Sequence, residues 1–194
     1  MLEKRSRNPA LNRGRTLMRK AILSSVKLSD KENSTAVQYM GCVGDIFKSD
    51  KLKKLDNFEQ HNHTSRLQHS INVSYYSFLW SRKLGLDYRS AARAGLVHDM
   101  YFYDWRKPNV LRGYHPLWHA LVACDNAKKE FGLNEIEQDA VKKHMWPCII
   151  NFPKYKESYV VSFADKFCAV LEFADGINAV KKAAKFKAAF AMKK

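Results

Sequence analysis

Ala91-Ala92-Arg93-Ala94-Gly95-Leu96-Val97-His98-Asp99-Met100 is the stretch from which the rest of the chain can be read. Its small residues suit a helix that a neighbour approaches closely, with Asp87 placed as cap at its start. It ends by setting a neutral nitrogen ligand, His98, beside a charged oxygen ligand, Asp99. On a regular helix adjacent side chains diverge by about 100°, but at a frayed end both can turn to one point. Working outward, His69 lies upstream in an apolar segment, and His115, His119 and His144 lie downstream. Asp165 sits inside Val160-Val161-Ser162-Phe163-Ala164-Asp165, where a carboxylate is costly unless it is paired or binds a metal.

The periodicity around these residues is helical throughout, and no segment shows two-residue alternation. Helices are expected over 34–48, 64–84, 88–99, 116–131, 135–145 and 156–174, with a last Ala/Lys-rich helix after Gly176. In the first, Val37, Met40, Val43, Ile46 and Phe47 share a side. Thr64 or Ser65 can cap the second, and Gly85 ends it. Pro116 suits a first helical turn, and Asn134-Glu135-Ile136-Glu137 reads as a capping box. Residues 49–63 read as a polar connector, and in the N-terminal stretch only 16–28 hints at a helix. The fold class is all-α. The divisions are a basic N-terminal extension over 1–33, a helical domain over 34–176 and a basic C-terminal helix over 177–194.

The chain has 194 residues, 46% of them hydrophobic, enough for one core. No run reaches the roughly 20 apolar residues of a membrane span, and no secretory signal is evident. Cys42, Cys124, Cys148 and Cys168 form no CxxC pair, as expected of reduced thiols in a cytoplasmic protein rather than a structural zinc site. No pattern specifies an oligomer. The net charge of +15 is concentrated at the ends: +7 in 1–28 and +6 in 181–194, leaving +2 for the body. Such ends either solvate the chain or contact nucleic acid or another anionic surface.

Each histidine alone has an ordinary explanation, as a hydrogen-bonded core residue or a cation at a helix C-terminus. Together they match the way helical bundles build metal sites from facing helices. The imidazole–carboxylate mix suits a divalent transition metal (Mn, Fe, Co, Ni or Zn) better than Ca. Asp99, with two oxygens, can hold one ion or bridge two.

The order His69, His98-Asp99, His115, His144, Asp165 resembles the HD superfamily of metal-dependent phosphohydrolases. The local words resemble it too: Gln-His-Ser-Ile-Asn-Val from Gln68, Ala-Gly-Leu-Val-His-Asp ending at Asp99, His-Pro-Leu-Trp-His-Ala from His115, and Ser-Phe-Ala-Asp-Lys ending at Lys166. The resemblance spans about 60–175 and is nearest to small single-domain bacterial members. It implies a helical bundle with a metal site at its centre, holding one or two ions. His69, His98, Asp99 and Asp165 would hold the first. His115 and His144 match the two further histidines of the binuclear subgroup. His119 would be a substitute ligand or a proton donor, or else a hydrogen-bonding neighbour of the ligands.

The implied activity is a phosphatase or phosphodiesterase working through metal-activated water on a small phosphate ester, in particular a nucleotide or dinucleotide. Arg66, three residues before His69, would hold phosphate, unless it is a surface arginine. Asp104 would be a general acid or pair with Arg106 or Lys107. Lys166 would touch phosphate or face solvent. In the 100–114 loop, Trp105 offers a flat surface for a base and Arg112 a charge for phosphate. Cyclic-di-GMP phosphodiesterases of the superfamily carry Gly-Lys or Gly-Tyr-Pro features after the His-Asp pair. Here Met100-Tyr101-Phe102 follows, which disfavours that substrate. Two alternatives stand beside this reading: a phosphodiesterase on RNA or single-stranded DNA guided by the basic ends, and a non-catalytic nucleotide-binding module.

Overall fold

Arg66–Lys83 is the axis of the computed structural model, which describes residues 20–61, 64–104 and 115–191. Thirteen of the eighteen residues in this helix are buried, so other elements cover it on most sides. The described chain is mostly helical, with α1 at Ser34–Phe47, a short α2 at Asp50–Lys53, α3 at Arg66–Lys83, α4 at Tyr88–Val97, α5 at His115–Phe131, α6 at Glu135–Lys143 and α7 at Lys156–Ala191. A 3-10 turn at Lys54–Asn57 and two short antiparallel strands, β1 at Glu59–His61 and β2 at Thr64–Ser65, fill the connector between α2 and α3. Strands of three and two residues are too short for alternation to register in sequence. No described helix is long and apolar enough to cross a membrane.

The caps fall where side-chain chemistry requires. Ser65 accepts from the Gln68 N–H, and Asp87 from the Ser90 N–H. Asn134 and Glu137 close a reciprocal capping box on α6. Gly85 and Gly132 take positive φ beyond the ends of α3 and α5.

α3 packs along α4 and α7, and α4 also meets α1 and α6. The α3–α4 crossing is tight. A Cβ on Gly95 would stand 2.9 Å from the Ser74 Cα and 3.0 Å from its nitrogen. Ser74 Oγ donates to the Ala92 carbonyl at 2.7 Å and accepts from the Tyr39 hydroxyl at 2.9 Å, knitting α1, α3 and α4 together. Leu67, Ile71, Tyr75 and Phe78 on α3, with Leu96 and Val97 on α4, lie in the core. Fully burying a side chain of this size is worth roughly 1.5–3 kcal/mol.

Four expectations change. The buried face of α1 is Ala36, Tyr39, Cys42, Val43 and Ile46, whereas Val37 is exposed, because Tyr39 finds its hydroxyl partner inside. Residues 20–33 form turns, so no helix covers 20–28, the described part of the expected 16–28 helix; 16–19 lie outside the described residues. The Ile22 N–H goes to Asn72 Oδ1 and its carbonyl accepts from the Tyr76 hydroxyl, so α3 takes the bonds a helix would make internally. This part of the expected N-terminal extension, with Ala21 and Leu28, belongs to the core. Finally, Gly176 does not break the chain. α7 runs through it as one helix of 36 residues, so the expected division at 176/177 falls inside a single element.

Candidate metal centre

α4 ends at Val97, and a turn follows in which the Met100 N–H bonds the Val97 carbonyl. Release from helical geometry lets His98 and Asp99 face the same space. α3 brings His69 there, α5 brings His119, the end of α6 brings His144, and α7 brings Asp165. Three overlapping groups have ligand atoms within 4.8 Å of one another: His69, His98 and Asp99; His98, His144 and Asp165; and Asp99, His119 and His144.

The orientation of the rings carries more information than their proximity. His98 Nδ1 lies 2.9 Å from the Gly95 carbonyl, His119 Nδ1 2.9 Å from the His115 carbonyl, and His144 Nδ1 2.7 Å from the Val141 carbonyl. A carbonyl only accepts, so each Nδ1 carries the proton and donates it. Each Nε2 of a neutral ring is then a bare lone pair, and all three point inward. His119 Nε2 and His144 Nε2 stand 2.9 Å apart. His98 Nε2 lies 3.6 Å from Asp99 Oδ2 and 3.7 Å from Asp165 Oδ1. Asp99 Oδ1 lies 3.4 Å from His119 Nε2 and 3.7 Å from His144 Nε2. His98 Nε2 and Asp99 Oδ1 are buried and make no hydrogen bond. Buried acceptors without donors cost about 1–3 kcal/mol each. A cation among them would satisfy these lone pairs at once, so the donor set fits a divalent transition metal.

Electrostatics sets these groups in the charge states that a bound cation would need. Burial pushes His98 down, against the pull of Asp99 and Asp165. Burial, then the neighbouring His98 and His119, push His144 down to about 3. Both rings are therefore neutral near pH 7. Burial alone would raise Asp99, but the surrounding histidines hold it well below the usual carboxylate range. The same opposition, won by His69 and Lys166, holds Asp165 down.

His69 differs. Its Nε2 meets Asp165 Oδ1 at 3.0 Å, and its Nδ1 meets Glu172 Oε2 at 3.0 Å. Burial opposes its charge, yet Glu172 and Asp165 outweigh burial and raise it to about 10. Without a cation, this ring is an imidazolium clamped between two carboxylates.

His115 belongs to none of the three groups; its ring stacks on His119 at 4.9 Å, and burial pushes it down to about 4. The ring that reaches the cluster from α5 is that of His119. Arg66 is buried rather than on the surface. It donates to Gln60 Oε1 at 3.0 Å and to the Tyr101 carbonyl at 2.7 Å, with its guanidinium 3.6 Å from the Tyr101 ring centre. Lys166 donates to Asp165 Oδ2 at 3.0 Å and to the His144 carbonyl, so it supports the cluster from behind. Asp104, half-buried, adds its charge to the surroundings of Arg66. Trp105 and Arg112, with Arg106 and Lys107, lie outside the described residues.

Three contributors were missed in the sequence. Glu172 is buried two turns beyond Asp165 and also accepts from Asn72 Nδ2 at 2.8 Å. The rule that singles out Asp165, a carboxylate in apolar surroundings, applies equally to Val170-Leu171-Glu172-Phe173. Asn72, buried on α3, fixes that carboxylate. Gln60 donates to Asp99 Oδ2 at 2.5 Å and accepts from Arg66, joining the cluster to the guanidinium, and its polar connector gave no signal. A cavity of about 430 Å³ lies nearby, lined by Lys51, Lys54, Asn57, Phe58 and Phe102. Phe58 also faces the Arg66 guanidinium at 4.9 Å. None of the cluster residues lines this cavity. Comparison of the chain with family models, curated proteins and solved structures finds no match.

Proposed function

We propose that this protein is a metal-dependent phosphohydrolase of the HD type, acting on a small phosphate ester such as a nucleotide. The observation that supports it best is the inward convergence of lone pairs from His98, His119 and His144, each fixed by an Nδ1–H bond to a backbone carbonyl. Here His98 Nε2 is buried without a hydrogen-bond partner, and His119 Nε2 meets His144 Nε2 at 2.9 Å. His69, His98, Asp99 and Asp165 would hold one divalent ion. Asp99, His119 and His144 form a set for a second, with Asp99 shared. Such ions supply Lewis-acid activation of water and neutralise charge on a phosphoryl group.

The chain's own residues do the rest. Glu172 accepts the His69 Nδ1 proton and so turns Nε2 toward the cluster. Gln60 engages one oxygen of Asp99 and leaves Oδ1 for a ligand. Arg66, one residue beyond this amide, contributes positive charge facing Asp99 and Asp104. Asp104, whose charge bears on Arg66, would serve a leaving group as general acid.

The experiment is metal analysis of the purified full chain, followed by a phosphomonoester and phosphodiester screen with Mn, Fe, Co, Ni or Zn restored, beside Asp99→Ala. One or two ions per chain, with turnover that Asp99→Ala abolishes, is the expected result. Stoichiometric metal with no turnover on any phosphoester would overturn the hydrolase and leave a metal-binding module. Absence of metal binding would overturn both.

A further inference from the structure

α7 presents an outer face that no described element covers. Between Phe163 and Ile177 the exposed residues are Phe163, Phe167, Val170, Phe173, Ala174, Asp175 and Ile177, and only Asp175 is charged. The five large apolar ones are 38–67% exposed and recur at steps of four, three, three and four, a single stripe about 21 Å long on an α-helix. Scattered exposed apolar residues are ordinary; a continuous row of five marks a surface meant for contact. Trp146 packs on Phe163 at one end, and Ile150 and Phe152 stand exposed in the loop that follows it.

Charge identifies the occupant. Of the net +15, +13 lies in 1–28 and 181–194. Both basic stretches join the body at this stripe. α7 itself continues past Ile177 through Lys181, Lys182, Lys185 and Lys187. On the N-terminal side, the Lys20 carbonyl accepts from Gln68 and the Ile22 carbonyl from Tyr76, whose ring packs on Phe167 at 5.1 Å. An apolar row bracketed by two lysine- and arginine-rich segments matches a partner with an oily interior and an anionic skin. A second copy would set like charge against like. A nucleic acid would match the charge but give Val170 and Ile177 nothing apolar to enter. We propose that the α7 face and the two basic ends dock this protein on a bilayer surface carrying anionic phospholipids, α7 lying in the interface without crossing it. This docking does not depend on the metal centre.

The test is sedimentation of the full chain with vesicles of phosphatidylcholine alone and of phosphatidylcholine mixed with phosphatidylglycerol. Binding is expected only to the mixed vesicles and should weaken with salt. It should fall about fivefold for each of Lys181→Gln and Lys182→Gln, and be lost in Val170→Glu/Phe173→Glu. Val170 and Phe173 are exposed, and an unchanged far-ultraviolet spectrum would show that the double variant is folded. Three results would each overturn the proposal: no binding to mixed vesicles at low salt, equal partitioning of the double variant, or a wild-type dimer that the double variant dissociates while vesicles go unbound. Binding of an RNA oligonucleotide in place of vesicles, surviving the double variant, would assign the charge to nucleic acid instead.

Discussion

Glu172 accepts the Nδ1 proton of His69 at 3.0 Å, a contact between residues 103 apart in the chain. Here a second buried charge anchors the candidate centre. The other three histidines rest on backbone carbonyls, which no side-chain substitution can remove. Glu172 can be changed, and Glu172→Gln, which keeps an acceptor but removes its charge, should weaken metal binding about 10- to 100-fold. Calorimetric titration of wild type and variant with Mn or Ni would check it. Equal affinities would show that the carboxylate does not support the ligand.

Loading the centre should stabilise the fold, since the candidate ligands come from four helices and the turn after α4. At a free metal concentration about 100 times the dissociation constant, the gain is about 2.7 kcal/mol. In Asp99→Ala the same addition should leave the melting temperature unchanged. A scanning-fluorimetry series with and without chelator separates the two.

In chelator, stability should peak near neutral pH. His69 is raised from 6.5 to about 10, so its stabilising contribution is whole below pH 6.5 and is lost as pH rises through about 10. His144 is depressed to about 3, so it costs stability as pH falls below 6.5 toward that value. Each contributes a slope of up to about 1.4 kcal/mol per pH unit within its window. Denaturation midpoints measured from pH 4 to 10 would show the dome. Bound metal should flatten the alkaline side, because a ligated His69 has already given up its proton.

Arg93 joins three helices. From α4 it donates to Glu137 on α6 at 2.9 Å and to Asp45 on α1 at 2.6 Å. Arg93→Ala would leave the buried Glu137 without its cation and should cost about 3–5 kcal/mol. Asp45 is 56% exposed, so Asp45→Asn should cost under about 1 kcal/mol. Urea midpoints for the two variants test the contrast, and comparable losses would contradict it.

Much of the α-helical framework was legible because it is written in local terms. Ser65, Asp87 and Asn134 cap helices from within a few residues, and Gly85 and Gly132 end them. The convergence of His69, His98, Asp99, His144 and Asp165 followed from type and order, since few other arrangements explain carboxylates and imidazoles set in apolar runs. What escaped was set by distant partners. The rotation of α1 depends on the Tyr39 hydroxyl reaching Ser74. The turns after Lys20 depend on Asn72 and Tyr76. That His119 rather than His115 reaches the cluster depends on how α5 leans over α4, which no spacing encodes. Gln60 acts through an amide in a connector whose strands are too short to leave a pattern.

The near-contact at Gly95 reaches beyond packing. Its missing side chain lets α3 and α4 close to the separation at which His69 and His98 share a neighbourhood, and its carbonyl also aims the His98 ring. One position thus works as a gauge block, setting the span between two ligand-bearing helices while holding one of the jaws. A chain that kept all six candidate ligands but thickened at 95 would hold His69 and His98 farther apart, so the census of imidazoles and carboxylates is an incomplete signature without the glycine behind them.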